Sequence, residues 1–199
     1  MLQLYDFEKS GNCYKARLLL AHLEMPYERI EVNSRTGETR QPPYLAVNPK
    51  GQIPALAVEG AIIAESSAIL FYLADGTAYL SGARLARAQC VQWMAFEQAN
   101  ILANIGLSRK WITTGQAEAN RKALDEKHKL GHEALAIMEA KLADRDFFVG
   151  DRYSIADIAL FGYTHLAEEG NFSLRDYSRV RSWIERVKSQ PGWVPMIGG

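Results

Sequence analysis

The sequence predicts an α/β module over residues 1–76, a linker over 77–83 and an all-helical module over 84–199. Two observations carry that reading. Strand-like alternation and short apolar runs are confined to the first part, whereas long stretches of helical period fill the rest. Between them lies the turn-rich stretch from Asp75-Gly76 to Gly82, the form of a domain boundary. Of the 199 residues, 48% are hydrophobic and 23% charged, a mix that excludes disorder and collagen and can fill a sizeable core. The 23 basic residues balance 23 acidic ones, so nothing favours nucleic acid or an anionic membrane as partner.

The elements follow in order. Leu2-Gln3-Leu4-Tyr5-Asp6 alternates as a strand, and the cap-forming Ser10-Gly11-Asn12 opens a helix with Ala16, Leu19, Leu20 and Leu23 on one face. Met25-Pro26 ends it, and Tyr27 to Val32 is a second strand. A polar loop and a helical turn near Tyr44 to Val47 lead to Asn48-Pro49-Lys50-Gly51-Gln52-Ile53-Pro54, which delivers a third strand at Ala55 to Val58. Glu59-Gly60 reverses into a fourth, Ala61 to Ala64, and Glu65-Ser66 opens a helix with Ile69, Leu70 and Leu73 on its apolar face. The module therefore reads β-α-β, loop, β-β-α. Helices follow over Arg84 to about Thr113, Gln116 to Ala143, Ile155 to Glu168 and Ser178 to Ser189.

Two cysteines, Cys13 and Cys90, form neither a CxxC pair nor a metal-ligand cluster, which fits a reducing cytoplasm. No apolar run is long enough to span a bilayer, and the N-terminus lacks the form of a secretion signal, so the expectation is a protein neither membrane-embedded nor exported.

Several residues can carry chemistry. Ile53-Pro54 at a strand entry is a candidate cis peptide; in that form Ile53 would offer its N–H and C=O to an extended peptide, whereas a plain proline at a strand start offers nothing. Glu65 and Ser66 can grip an α-amino acid head, the amine on Glu65 and the carboxylate on Ser66 and the helix N-terminus, or Ser66 can be an N-cap only. Ser10 and Asn12 can cap the first helix, or can donate to a thiolate held above it and so lower its pKa without a general base. Cys13, on an apolar face, is core packing or a nucleophile; Cys90 has a weaker claim. His128 and His132 stand at i, i+4 in a Lys-rich stretch, where a solvated face is favoured over a metal site. Ser154 and Asp157 have the capping-box form, and Trp93, Met94 and Phe96 form a core or subunit contact.

The order and spacing of three segments resemble the cytosolic glutathione transferase superfamily along nearly the whole chain. Asn48-Pro49-Lys50-Gly51-Gln52-Ile53-Pro54-Ala55-Leu56 is similar to its cis-proline segment, Glu65-Ser66-Ser67-Ala68-Ile69-Leu70 to its γ-glutamyl-binding helix start, and Tyr153-Ser154-Ile155-Ala156-Asp157-Ile158-Ala159 to its C-terminal capping box. The resemblance implies a thioredoxin-like domain followed by a helical one, and a cytoplasmic, homodimeric detoxification enzyme with glutathione as cosubstrate, a small electrophile as second substrate and no metal. It implies glutathione binding by Gln52, Ile53, Pro54, Glu65 and Ser66, with Ser10 or Asn12 as the catalytic thiolate donor. Ser10 stands where the serine-type classes place theirs. Asn12 matches a bacterial class in which Thr-Pro-Asn precedes the helix, a proline this chain lacks, and Tyr5 ranks third. Glu97 or Gln98 would reach the partner subunit's glutathione, and Phe7, Trp111 and Phe161 would line the electrophile pocket. The rival readings are a noncatalytic binding or scaffold protein of the same fold and a thiol transferase acting through Cys13.

Overall fold

The computed structural model describes residues 1–197, arranged in two compact units. The first comprises Met1–Asp75 together with the segment from Pro191, and the second Gly76–Gln190. The linear division at 77–83 does not contain that C-terminal return.

In the first unit the strands β1 (Leu2–Asp6), β2 (Tyr27–Glu31), β3 (Ala55–Val58) and β4 (Ala61–Ala64) form one mixed sheet in the order β2-β1-β3-β4. β1 and β2 run parallel, with Leu2 opposite Tyr27 and Asp6 opposite Glu31, so the helix α1 (Gly11–His22) serves as their crossover. β3 pairs antiparallel with β1, Leu4 opposite Leu56, and with β4 through the Glu59-Gly60 reversal. The short helix α2 (Pro42–Leu45) and the helix α3 (Ser66–Ala74) complete the unit. Cys13, Ala16, Leu19 and Leu20 on α1 and Ile69, Leu70 and Ala74 on α3 are fully buried with Leu4 and Leu56 of the sheet. Full burial of a Leu or Ile side chain contributes roughly 1.5–3 kcal/mol, so these positions dominate the unit's stability.

The second unit holds α4 (Arg84–Phe96), a ten-residue π-helical segment (Glu97–Gly106), α5 (Leu107–Thr113), α6 (Arg121–Lys141), α7 (Ile155–Thr164) and α8 (Ser178–Lys188). The long helix expected over 84–113 is helical throughout, with π-helical turns over Glu97–Gly106 at its centre. The helix expected from Gln116 begins at Arg121, after a 3-10 turn over Glu118–Asn120, and the one expected to Glu168 ends at Thr164.

The fully buried Asp157 organises this unit's core. It accepts from the Ser154 amide (3.1 Å) and hydroxyl (3.0 Å), the Phe148 amide (3.1 Å) and the Trp183 indole (3.0 Å), which makes the capping box part of a network between α7 and α8. Trp93 packs on Phe148 at 4.7 Å and on Phe96 at 5.2 Å, the core role expected of that cluster.

His128 and His132 do not form the solvated face expected of them. They flank the fully buried Phe172, at 4.8 and 5.3 Å between ring centres, and bond to Gly170 O and the Tyr177 hydroxyl. Gly131 between them is required, because a Cβ there would stand 2.3 Å from the Phe172 ring.

Candidate functional site

The residues singled out in the first module fall on three junctions of the first unit. At the β1–α1 junction Ser10 is the N-cap of α1: its Oγ accepts from the Cys13 amide at 3.3 Å. Capping uses an oxygen lone pair, so it does not by itself exclude a donor role; the hydroxyl also hydrogen-bonds the Cys13 side chain, which a ligand sulfur would have to displace. Asn12 stands in the first turn. Its Oδ1 accepts from Lys15 Nζ at 2.8 Å and from the Ser66 hydroxyl at 3.4 Å, which joins the start of α1 to the start of α3.

The second junction is the loop before β3, where Ile53-Pro54 is a cis peptide. The register of β3 with β1 stops at Tyr5 opposite Ala55, so Ile53 lies outside the sheet ladder. Two side chains fix the preceding carbonyl: Gln52 O accepts from the Tyr44 hydroxyl and from Asn48 Nδ2, both at 2.7 Å. Gly51 takes φ +60°, and a Cβ there would meet Thr39 O at 2.6 Å, so glycine is required. The Gln52 side chain is exposed.

At the third junction Glu65 links β4 to α3 with φ +70° and ψ 121°, outside the conformations a residue with a side chain prefers. Its carboxylate pairs with Lys50 Nζ at 2.5 Å, both groups being more than half exposed. Glu65 makes no side-chain cap to α3, whose first-turn N–H groups remain oriented for an anion, with the buried Ser66 hydroxyl beside them. The neighbouring Ser67 Oγ is buried without a hydrogen-bond partner among the described residues.

Cys13 is fully buried, and burial pushes its thiol up to about 12. A thiol in that state is neither exposed nor ionised near neutral pH, which argues against a reaction centred on it. Cys90 is buried as well, and its thiol is raised by the same cause. Among the described residues no group of three His, Cys, Asp or Glu side chains is placed to hold a metal ion.

Residues 1–75 match the model of the glutathione S-transferase N-terminal domain, and residues 102–191 that of the C-terminal domain. The chain belongs to the glutathione S-transferase family. Relatives of this glutathione transferase include the maleylacetoacetate isomerase of Pseudomonas aeruginosa, 32% identical over 96% of this chain and 93% of that protein. Another is the disulfide-bond oxidoreductase YfcG of Escherichia coli, 28% identical over 96% and 92%. A solved structure described as a possible glutathione S-transferase from Rhodopseudomonas palustris is 42% identical, covers 100% of this chain and 91% of that one, and superposes with a TM-score of 0.97. A glutathione transferase from Burkholderia graminis, with two glutathione molecules bound per subunit, is 27% identical over 96% and 85%, with a TM-score of 0.86.

Within this transferase the side-chain contacts bring Asn12 and Ser66 together and attach Lys50 to Glu65 and Tyr44 and Asn48 to the Gln52 carbonyl. Lys15, Tyr44, Asn48 and Lys50 were not singled out from sequence. Only Lys15 left a signal, a lysine in an apolar helix, and the structure buries it completely. Phe161, expected in an electrophile pocket, is a core residue of the second unit, fully buried and stacked on His165 at 4.3 Å. Glu97 is buried within its own chain, with the Gln98 amide turned onto it at 2.8 Å, rather than presented to a partner subunit.

Proposed function

We propose that the protein binds glutathione on its first unit and activates the thiol as a thiolate for attack on a small electrophile, a peroxide or a disulfide. The observation that supports this reading is the contact of Ser66 with Asn12, which joins the starts of α1 and α3, where the proposed thiolate donor and carboxylate site lie. In this reading Ile53 pairs with the peptide backbone of glutathione beside Gln52 and Pro54. The Ser66 amide and the other first-turn N–H groups of α3 take the γ-glutamyl carboxylate, the Ser66 hydroxyl proton being given to Asn12, and Glu65 takes the ammonium.

The hydroxyl of Ser10 donates to the sulfur, with the Asn12 amide as second donor and the α1 dipole adding to both. The thiol proton leaves to solvent, because no general base is needed once the bound pKa lies near neutrality. The thiolate then forms a C–S bond as the leaving group departs with its electron pair, or attacks a disulfide sulfur so that the S–S bond breaks and the second sulfur leaves as thiolate. Glutathione bound to a solved relative supports the cosubstrate, and the disulfide-bond oxidoreductase name of another relative supports the disulfide as a substrate class.

The protein works as a cytoplasmic homodimer in this account. Free Cys13 and Cys90 fit a reducing compartment, and exposed apolar side chains at Ile62 and Tyr72 on the first unit and Leu85 and Val91 on the second fit a subunit contact. Titration calorimetry with glutathione tests the ligand: saturable heat and a rise in Tm are expected, and neither at millimolar ligand would refute it. Light scattering on the same sample reports the subunit number.

A further inference from the structure

Arg17 lies on α1, seven residues after Ser10, and its guanidinium ties three stretches of chain together. Nη1 donates to Asp6 Oδ1 at 2.5 Å and approaches Phe7 O at 3.5 Å, while Nη2 donates to Glu8 O at 2.9 Å and to Met196 O at 2.8 Å. Asp6 is fully buried, and its second oxygen is taken by Arg29. The Ser10 amide donates to the same Phe7 carbonyl at 2.9 Å. The loop over Phe7–Lys9 is thus gripped by Ser10 at one side and by Arg17 at the other.

The tail from Pro191 is held by the same helix: the Tyr14 hydroxyl donates to Val194 O at 2.7 Å, and His22 Nδ1 bonds Pro191 O at 2.8 Å. Tyr14 and Arg17 are three residues apart on one face of α1 and His22 is its last residue, so the tail is held at the middle and at the end of the helix that carries Ser10. A planar guanidinium can serve a carboxylate and several carbonyls at once; an ammonium on a flexible stem reaches fewer of them in a fixed geometry. For neutralising Asp6 alone a lysine would suffice.

We infer that Arg17 is a positioning residue for the thiolate site: it fixes the Phe7–Lys9 loop, and with it the Ser10 hydroxyl, while the Met196 carbonyl of the tail fixes the guanidinium. The inference rests on the donor role proposed for Ser10, so the test includes that residue. Wild type, Arg17→Lys, Tyr14→Phe, Ser10→Ala and the double variant Ser10→Ala/Arg17→Lys are saturated with glutathione, and the bound thiolate is titrated by its ultraviolet absorbance. Turnover of a dinitrophenyl chloride is followed in parallel.

Arg17→Lys is expected to raise the bound thiol's pKa by about half to one unit, part of the one to two units that loss of a hydrogen bond to a charged group represents. Below that pKa kcat falls in proportion, by about three- to tenfold, while KM for glutathione stays within about twofold. Tyr14→Phe, which removes one bond to the tail, shifts the pKa the same way by less, and decides the matter if Arg17→Lys does not fold. In the Ser10→Ala background Arg17→Lys adds nothing, because the group it positions is gone.

A lowered Tm with unchanged pKa and kcat in both Arg17→Lys and Tyr14→Phe, while Ser10→Ala shifts the pKa, would overturn the inference and leave the donor reading standing. No shift in Ser10→Ala would refute the donor reading and the inference together.

Discussion

Lys15 Nζ donates to Asn12 Oδ1 at 2.8 Å, and because an ammonium has no lone pair to accept with, this contact fixes which end of the Asn12 amide faces it. The Ser66 hydroxyl approaches the same oxygen. The NH2 end of Asn12 is therefore the end left for a ligand sulfur. Asn12→Asp keeps an oxygen for Lys15 and removes both N–H donors. It is expected to raise the pKa of bound glutathione by about one unit or more, with Tm nearly unchanged. Lys15→Met releases the amide, and the same titration should show a smaller rise. An unaltered titration in Asn12→Asp would remove Asn12 from the donor set and leave Ser10 alone.

Glu65 is paired with Lys50 across an exposed surface, where an ion pair contributes only about 0–1 kcal/mol. A ligand ammonium can share or replace Lys50 at that small cost. Glu65→Ala is expected to weaken glutathione binding by about 1.5–3 kcal/mol, roughly ten- to a hundredfold in Kd, since the ammonium loses its charged partner. Lys50→Met should leave Kd within about fivefold, on the tighter side. Calorimetry on both variants checks the assignment, and an unchanged Kd for Glu65→Ala with an intact fold would remove Glu65 from the site.

Much of the first unit was legible because its signals are local. The alternation in Leu2–Asp6, the proline after Ile53 and the cap residue Ser10 act within a few residues of themselves, as does the Ser154 cap in the second unit. The grouping of Ser10, Asn12, Glu65 and Ser66 on one module also followed from reading each as the start of a helix. The π segment over Glu97–Gly106 was not legible, because its apolar periodicity is close to that of an α-helix and the extra residue per turn depends on packing against α6 and α7. Nor could the tail be placed: its partners Tyr14 and Arg17 lie nearly the whole chain away and read as ordinary helix residues. The half-burial of His128 and His132 is not legible either, because the lysines around them mark an exposed face, whereas Phe172, forty residues on, packs against both rings.

Cys13 provides a check on which sulfur reacts. With its thiol buried and raised to about 12, it should resist iodoacetamide in the native protein and react once the chain is unfolded in guanidinium. Mass spectrometry of the labelled chain reads this directly. Cys13→Ala should retain turnover, with only the stability loss of a small core truncation. Loss of turnover in a folded Cys13→Ala protein would instead favour a cysteine-centred reaction.

Two buried groups of the second unit oppose each other in acid. Burial raises the Asp157 carboxyl to about 6, so its contribution to stability is fullest below the unfolded value near 4 and is lost as pH rises through 6. Burial lowers the His165 imidazole to about 4, so its contribution is present above the unfolded value near 6.5 and is lost as pH falls toward 4. In the wild type these two contributions therefore largely cancel between about pH 4 and 6.5. His165→Gln should become less stable as pH rises across that window and Asp157→Asn more stable, by on the order of 2 kcal/mol in each direction. Urea unfolding at several pH values gives the slopes; matching slopes in the two variants would contradict this pairing.

The central claim is that the first unit holds glutathione with its sulfur ionised. The direct measurement is the ultraviolet difference spectrum of the saturated complex against free protein and free glutathione, followed from about pH 5 to 9. The account expects a thiolate band titrating at least one unit below the roughly 8.5 of a free thiol, and displaced upward in Ser10→Ala. A bound thiol that titrates with the free one, in a sample that calorimetry shows to be saturated, would contradict it.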